Sequence, residues 1–324
     1  MRIAVIYTGE VRTIETTIDK FKENVILNDD INVFSILQSD NQTYYENLIK
    51  SKIGNNLKYC NWLDKNDNEW IKIRDQLLAN INDDIGSHWK YYLMNSGSMI
   101  EYYQMYLAYK QIELYENNNN FKYDYILRFR ADVILKDKLN LNFTDETYIK
   151  KLLEKFKLRF NNTSLNRNSF EYIMSCLLFD NRIDYIEPSD LHLNFVEDKN
   201  INYSSEDEFI KSTIEYLING KYLIVLSCNL IYFIPRILMN NIHLLGITYG
   251  QYGVNAKDTP GNHWWNAESQ LSSCCRKYDI AIYNSRTHLE FLTICKKYEH
   301  DIYYSNYSKN EIKDDNFSFF IKRK

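Results

Sequence analysis

Glycine and proline are scarce in this chain, which has nine glycines and three prolines among 324 residues. A glycine-rich phosphate loop is absent, because no glycines have the G-x-G-x-x-G or Walker spacing. No stretch has the composition of a flexible linker either. We therefore expect one packed domain over residues 1–324, made of a regular first half, 1–140, and a less regular second half, 141–324.

Cysteine motifs and long apolar runs are also missing. The six cysteines include no C-x-x-C pair and no zinc spacing with histidine. Cys274 and Cys275 could form a vicinal disulfide, but two reduced thiols on a helix suit a chain without a secretory signal better. The start, MRIAVIY, has no cleavage site, and no apolar run approaches the roughly 18 residues that span a bilayer. We expect no transmembrane segment and a cytoplasmic location, in the host if the source is viral.

Positive charge is not concentrated anywhere in the sequence. Lysine and arginine number 39 against 43 aspartates and glutamates, the net charge is −4, and the basic residues are scattered. A nucleic-acid-binding surface is normally basic and clustered, so we expect no nucleic-acid partner. Tyrosine is abundant, with 28 residues, as are asparagine, isoleucine and lysine. That bias is typical of an AT-rich genome, either bacterial or that of a large DNA virus.

The order of predicted elements indicates the fold class. Hydrophobic periodicity predicts strands that alternate with helices through the first half. The strands are Arg2–Tyr7, Ile31–Leu37, Leu57–Cys60 and Tyr123–Phe129, and the helices are Thr13–Leu27, Tyr44–Lys50, Asn66–Ile81 and Ser98–Glu116. The inward stripe of the last helix should be Ile100, Tyr103, Leu107, Gln111 and Leu114. This order predicts an α/β protein with a Rossmann-type mixed, mostly parallel sheet and helices on both faces.

The second half gives weaker signals. Its predicted helices are Thr144–Phe160, Ser204–Asn219 and the end of His263–Tyr278, and its predicted strands are Tyr172–Phe179, Tyr222–Leu226 and Ile280–Tyr283. The segment Ile231–Ile242 fits a strand or a helix.

The most informative segment is Tyr123–Leu135, in which an apolar run ends in Arg128, Arg130 and Asp132. Because an unpaired buried charge is costly, this cluster should lie at the carboxyl end of the strand, where open α/β sheets bind ligands. Strand alternation places Arg128 and Arg130 on one face. The carboxylate suits a divalent cation and the guanidinium groups suit phosphate oxygens. The alternative is a strand end closed by ion pairs.

Two earlier strand ends carry further candidates. Tyr7, Thr8, Gly9 and Arg12 follow the first strand, where a glycine allows close backbone approach and a helix start favours an anion. The alternative is a tight turn with a surface arginine. Asp40 follows the second strand, at the position of a ribose or base contact in nucleotide-binding folds, or else is a helix cap.

A late segment, Gly261–Leu271, suggests a sugar-binding surface. Trp264 and Trp265, beside Asn266, Glu268 and Gln270, could stack on sugar rings while the amides bind hydroxyl groups. The alternative is a pair of core tryptophans followed by a capping carboxylate.

With these residues in view, the chain resembles GT-A-type nucleotide-sugar-dependent glycosyltransferases, in a diffuse group of bacterial and large-virus proteins with an Arg-x-Arg-x-Asp variant of the Asp-x-Asp motif. The start IAVIYTGEVRT is similar to that group's strand-Gly-Gln-x-Arg opening, although Glu10 replaces the usual glutamine. Met99–Glu116, with Gln104 at its middle, resembles the helix before the metal strand. YDYILRFRADVIL resembles the arginine-containing motif itself, with Arg130 where the first carboxylate of Asp-x-Asp would stand. WNAESQL is similar to a segment on the acceptor side.

The resemblance implies a GT-A-like fold and transfer of a sugar from a nucleotide-diphosphate sugar, with UDP as first candidate, to a hydroxyl on a glycan, lipid or protein. It implies Mn²⁺ or Mg²⁺ at Asp132, an acceptor side in the second half, and a base that is Glu268 or, second, Asp258. The expected donor-binding residues are Tyr7, Thr8, Gly9, Arg12, Asp40, Gln104, Arg128 and Arg130, and the expected acceptor residues are Trp264, Trp265 and Asn266.

Two other functions stay open at this point. Another nucleotide-sugar-processing enzyme would use a Tyr-x-x-x-Lys pair, which occurs at Tyr106 and Lys110, but it would also need the missing G-x-G-x-x-G. A non-catalytic carbohydrate-binding protein could use Trp264 and Trp265, but it has no need of Asp132 flanked by arginines.

Overall fold

A computed structural model describes residues 1–79, 97–179, 202–227, 229–248, 267–289 and 319–321. The strands are β1 (Ile3–Glu10), β2 (Ile31–Gln38), β3 (Leu57–Trp62), β4 (Tyr125–Arg130), β5 (Val133–Leu135), β6 (Tyr222–Ser227), β7 (Ile231–Pro235), β8 (Ala281–Asn284) and β9 (Phe319–Ile321). The helices are α1 (Ile14–Val25), α2 (Gln42–Ile53), α3 (Asn68–Ala79), α4 (Gly97–Asn119), α5 (Glu146–Phe160), α6 (Arg167–Cys176), α7 (Glu206–Asn219), α8 (Met239–Ile242), α9 (Leu245–Thr248) and α10 (Ala267–Lys277).

Seven strands form one sheet in the order β3-β2-β1-β4-β7-β6-β8. Strand β7 is antiparallel to both of its neighbours, and the other pairings are parallel. Six of the seven strands therefore end at the same edge of the sheet, which we call the carboxyl edge. The predicted fold class, an α/β protein with a mixed, mostly parallel sheet, is confirmed.

Helices cover both faces of the sheet, as the sequence predicts. On one face, apolar residues of α1, α2, α5, α6 and α7 pack against alternate residues of the strands, such as Val5, Leu127 and Phe129. On the other face, α3, α4, α8, α9 and α10 pack against the intervening residues, such as Ile6, Ile126 and Tyr232. Strands from both halves of the chain contribute to the sheet, and the single domain over 1–324 stays a prediction.

Helix α4 crosses the second face, and its buried stripe differs from the predicted one. Ile100 and Tyr103 are buried as predicted, but Leu114 is 53% exposed and Leu107 and Gln111 are only partly buried. The buried positions further along the helix are instead Ala108, Tyr109, Ile112 and Glu116. Aromatic and aliphatic residues occur all around this helix, so periodicity alone does not single out its inner side.

The predicted strand Tyr172–Phe179 is wrong, because most of this segment belongs to α6. Asn166 and Ser169 form a capping box at the start of that helix. Every residue from Ser169 to Cys176 is buried, so the helix shows no exposed stripe and its apolar run is similar to that of a buried strand. The ambiguous segment Ile231–Ile242 begins as strand β7 and becomes helical after Pro235. Cys274 and Cys275 form no disulfide and are buried as reduced thiols in α10, as predicted.

Candidate functional site

The candidate site lies at the carboxyl edge, where β1 and β4 run side by side. Thr8 of β1 is paired with Arg130 of β4, and the Ala131 N–H donates to the Thr8 carbonyl at 2.9 Å. Gly9 has a φ of +118°, a conformation that side chains disfavour. A Cβ atom at Gly9 would lie 3.0 Å from Cγ of Arg130. The glycine therefore allows the Arg130 side chain to lie across the end of β1.

Arg130 makes a two-point contact with Asp132. Its Nε and Nη2 atoms donate to the two carboxylate oxygens at 2.5 and 2.8 Å. Nη1 lies 3.5 Å from Oε1 of Glu101, which belongs to α4. Burial opposes the charge of Arg130, but the carboxylates of Glu101 and Asp132 outweigh it and raise the pKa of the guanidinium. Arg130 is thus held as a fixed cation at the sheet edge.

Arg128 lies one strand repeat deeper on the same face, as strand alternation predicts. Its side chain is 3% exposed, and Nη2 lies 3.8 Å from the same Glu101 oxygen. Nη1 has no hydrogen-bond partner within the described part of the chain. Burial lowers the pKa of this guanidinium and the charge of Glu101 opposes that shift, although arginine stays charged in proteins. Arg128 is therefore a buried cation with a distant counter-charge.

Glu268, in the first turn of α10, interacts electrostatically with Glu101 and Arg130. The Tyr102 hydroxyl of α4 donates to the Ala267 carbonyl at 2.8 Å, which joins the start of α10 to α4 beside Glu101. The Glu268 residue keeps contact with solvent. Desolvation by the surrounding protein nevertheless raises its pKa, the charge of Glu101 adds to the rise, and that of Arg130 opposes it. The structure thus brings Glu268 near Arg130.

No family model matches this chain, and no curated protein matches it. Among solved structures, the chain is similar to core-mannan synthase A from Aspergillus fumigatus in its Mn/GDP form. The identity is 12%, the match covers 84% of this chain and 68% of that chain, and the TM-score is 0.28.

The other candidates from the first half have different environments. The Tyr7 ring is fully buried on the opposite face and stacks on Phe21, so it belongs to the core and not to a surface that a ligand could reach. Thr8 is buried on the Arg130 face, and its hydroxyl has no partner within the described residues. Arg12 is exposed and its Nε donates to Glu10 at 2.7 Å. Asp40 is exposed in the turn after β2.

Gln104 is buried in α4 and is anchored to the sheet. Its amide donates to the Ile36 carbonyl of β2 at 3.1 Å, and its own carbonyl oxygen has no partner among the described residues. One half of the side chain thus has a structural contact, and donor binding by the other half stays a prediction.

The remaining candidates, Asp258, Trp264, Trp265 and Asn266, lie outside the described residues. Their predicted roles as base and as acceptor-binding groups stay predictions.

Asp132 is the predicted ligand of Mn²⁺ or Mg²⁺, and its surroundings do not suit a cation. Both of its oxygens receive N–H groups from Arg130. Within the described ranges, no three His, Cys, Asp or Glu side chains come together as metal ligands. Hard dications need several oxygen ligands, so the described residues as arranged do not fit one. Metal binding by Asp132 stays a prediction.

Sequence reasoning missed Glu101, which contacts both arginines. The local pattern gives no sign of it, because Glu101 is adjacent to the apolar stripe of α4 and could be a solvated residue. The two arginines do indicate that such a carboxylate is needed. A strand with two buried or half-buried guanidinium groups requires a carboxylate from a neighbouring element, and α4 directly precedes that strand.

A recess of about 540 Å³ lies at the opposite edge of the sheet from the candidate site. It is lined by Lys122, Arg236 and Asn240 and by the exposed side chains of Ile218 and Ile237. Arg236 is fully engaged there by Glu116 and Asn240. This recess and the arginines of the carboxyl edge are therefore in different places, and the arginines define the candidate site. No helix among the described residues is long and apolar enough to cross a membrane.

Proposed function

We propose that this protein is a GT-A-type glycosyltransferase that moves a sugar from a nucleotide-diphosphate sugar, with UDP as first candidate, to a hydroxyl acceptor. The observation that carries the proposal is the convergence of Arg128 and Arg130 on one point at the carboxyl edge, within 3.8 Å of a single oxygen of Glu101. Open α/β sheets bind ligands at this edge, and paired guanidinium groups suit phosphate oxygens.

The reaction requires positive charge at the leaving group. The bond between the anomeric carbon and the β-phosphate oxygen breaks, and the nucleoside diphosphate leaves with an additional negative charge. Arg130 and Arg128 stabilise that charge from the β4 side, and Arg12 does so from the β1 side. Their charges are fixed before the reaction, so little reorganisation accompanies bond breaking.

The acceptor hydroxyl must lose its proton as its oxygen bonds to the anomeric carbon. In an inverting reaction a carboxylate takes that proton. Glu268 is our first candidate for this base, because its charge interacts with that of Arg130 and the residue is exposed to solvent. Its raised pKa also makes it a better base than an ordinary glutamate. Asp258 is the second candidate, and Trp264, Trp265 and Asn266 are proposed to hold the acceptor.

The test is thermal unfolding of the purified protein with UDP, GDP and their common sugars, with Mn²⁺ and separately with EDTA. One nucleotide should raise the midpoint, because ligand at a hundredfold excess over Kd adds about 2.7 kcal/mol of stability. Arg130→Met should remove the response, since a charge-assisted contact is worth about 1.5–3 kcal/mol. Arg74→Met, which removes a partly exposed arginine that pairs with Asp75 on α3, is the matched control and should respond as the wild type does.

Two results would contradict the proposal. One is the absence of a midpoint shift with every nucleotide, with and without Mn²⁺. The other is a shift that Arg130→Met leaves unchanged. A response to free glycans alone would favour the non-catalytic carbohydrate-binding protein. The comparison of Mn²⁺ with EDTA shows whether a divalent cation contributes to nucleotide binding, and loss of that contribution in Asp132→Ala would assign the cation to Asp132.

A further inference from the structure

Each of the three arginines that the structure describes at the carboxyl edge has a carboxylate beside it. Arg12 is paired with Glu10, Arg130 with Asp132 and Glu101, and Arg128 with Glu101. An anionic ligand that binds these guanidinium groups therefore competes with the internal carboxylates. The proposed donor site therefore has built-in competitors, and the geometry distinguishes which of them is held least tightly.

Glu101 is the carboxylate with the weakest contacts. Asp132 receives hydrogen bonds at 2.5 and 2.8 Å from Arg130, and Glu10 receives two from Arg12, of which the one from Nε is at 2.7 Å. Oε1 of Glu101 lies 3.5 Å from Arg130 and 3.8 Å from Arg128. Those distances exceed the range of a hydrogen bond between nitrogen and oxygen. Glu101 thus neutralises two arginines by charge alone.

The same oxygen stands between the two guanidinium groups. A phosphate oxygen that contacts both arginines would have to come close to this point, where it would meet the negative charge of Glu101. Nη1 of Arg128, without a partner in the described part of the chain, is an additional buried donor for such an oxygen. Arg128 is 3% exposed, whereas the Glu101 side chain is 17% exposed. The carboxylate therefore has access to water and can turn outwards, while the arginine cannot.

We propose that Glu101 is an affinity-setting residue of the donor site. Its carboxylate takes the place of an anionic ligand oxygen between Arg128 and Arg130, and it moves aside when the diphosphate of the donor binds. This inference rests on the proposed function, because it needs a diphosphate as the incoming anion. It adds a specific role for a residue that the Arg-x-Arg-x-Asp pattern does not contain.

Competition and positioning predict opposite signs for the same substitution. If Glu101 competes with the ligand, Glu101→Gln removes the competitor and diphosphate binding becomes tighter. If Glu101 instead holds the arginines in a binding geometry, the same change weakens binding. The glutamine has nearly the same volume as the glutamate, so the packing of α4 is little altered. The sign of the change in affinity therefore reports the effect of the charge.

The experiment is isothermal titration of UDP, GDP and inorganic pyrophosphate into the full chain at one fixed ionic strength. The proteins are the wild type, Glu101→Gln, and Glu113→Gln as the matched loss of charge on the same helix, at a residue that pairs with Lys110 away from the site. We expect Glu101→Gln to bind pyrophosphate and the preferred nucleotide about tenfold more tightly, the equivalent of about 1.4 kcal/mol. Glu113→Gln should match the wild type.

The outcomes separate this inference from the proposed function. If the wild type binds and Glu101→Gln binds equally or less tightly, the competition is disproved while the proposed function stands. If neither protein binds any of the three anions, both fail. Should Glu101→Gln not fold, Glu101→Asp keeps the charge but withdraws it by one methylene. That variant should then bind more tightly than the wild type, and unchanged or weaker binding would overturn the inference.

Discussion

Two arginine–carboxylate clusters lie near opposite ends of helix α4, and they differ in how completely their polar atoms are paired. Glu101 faces Arg128 and Arg130 at the carboxyl edge, and Glu116, about 22 Å further along the helix, faces Arg236 at the other edge. We call them the open cluster and the closed cluster. The same residue types serve both, so the difference lies in their hydrogen bonds.

In the closed cluster every charged group is satisfied from several directions. Arg236 donates to the two oxygens of Glu116 at 2.9 and 2.7 Å, to Asn240 at 2.7 Å, and to the Tyr109 hydroxyl. Glu116 also accepts from the Tyr123 N–H and from Lys122. A saturated buried pair of this kind has no capacity left for a ligand. Its role is to fix the end of α4 against the sheet.

In the open cluster the pairing is incomplete. Arg128 has a buried, unpartnered Nη1 atom among the described residues, and its counter-charge lies 3.8 Å away. Leaving a buried charge this poorly compensated costs stability. Proteins keep such an arrangement where a ligand completes it, so the contrast with the closed cluster is the physical basis of the proposed function.

The largest expected effect belongs to Glu268, the proposed base. Glu268→Gln should lower the rate of sugar transfer, or of donor hydrolysis, by about 10²- to 10⁴-fold and leave nucleotide affinity unchanged. The pKa of Glu268 is raised, so the wild-type rate should rise with pH as this carboxyl loses its proton, above the ordinary glutamate range. The rate of Glu268→Gln should lack this rise with pH. Glu215→Gln, on the surface of α7, is the control, and equal rates for wild type and Glu268→Gln would exclude Glu268 as the base.

The next largest effect is the loss of stability when the closed cluster is disrupted. Glu116→Gln should lower the free energy of unfolding by about 3–5 kcal/mol, because it leaves the charge of Arg236 buried and uncompensated. Urea unfolding measures this directly. A loss below about 1 kcal/mol, the range of an exposed ion pair, would mean that the closed cluster does not stabilise the fold.

A glycine pair isolates the contact between β1 and Arg130. Gly9→Ala and Gly54→Ala both place a side chain at positive φ, at +118° and +65°, and each should cost about 1–3 kcal/mol of stability. Only at Gly9 would the new Cβ meet Arg130, since the space around Gly54 is open. Nucleotide affinity should therefore fall about tenfold (~1.4 kcal/mol) in Gly9→Ala alone. A similar loss in both variants would show that Gly9 acts through strain and not through Arg130.

The smallest effect is the pH dependence of the closed cluster. Burial opposes ionisation of Glu116, but hydrogen bonds from Arg236 and from the Tyr123 N–H outweigh it and lower the pKa of this carboxyl. A lowered folded-state pKa contributes stability that is fully present above the unfolded value and is lost as pH falls through the folded value. The stability difference between wild type and Glu116→Gln should therefore shrink on acidification. A stability difference that does not change with pH would contradict the lowered pKa of Glu116.

Local sequence patterns predict the sheet and the arginine cluster well, because both depend on short-range periodicity. Strand alternation correctly places Arg128 and Arg130 on one face and Phe129 on the other. The same reasoning fails at Tyr172–Phe179, where a fully buried helix has no exposed stripe. It also cannot find Glu101 or the engagement of Asp132 by Arg130, since these depend on which side chains meet after folding.

One measurement tests the division between the two clusters most directly. Arg128→Met and Arg236→Met should be compared for the free energy of urea unfolding and for the affinity of the nucleotide that stabilises the wild type. Arg128→Met should change stability by less than about 1 kcal/mol, because replacing an ill-compensated buried charge by an apolar group is close to neutral, and it should abolish nucleotide binding. Arg236→Met should cost about 3–5 kcal/mol and leave affinity unchanged. Equal stability losses in the two variants, with nucleotide binding intact in both, would contradict the account.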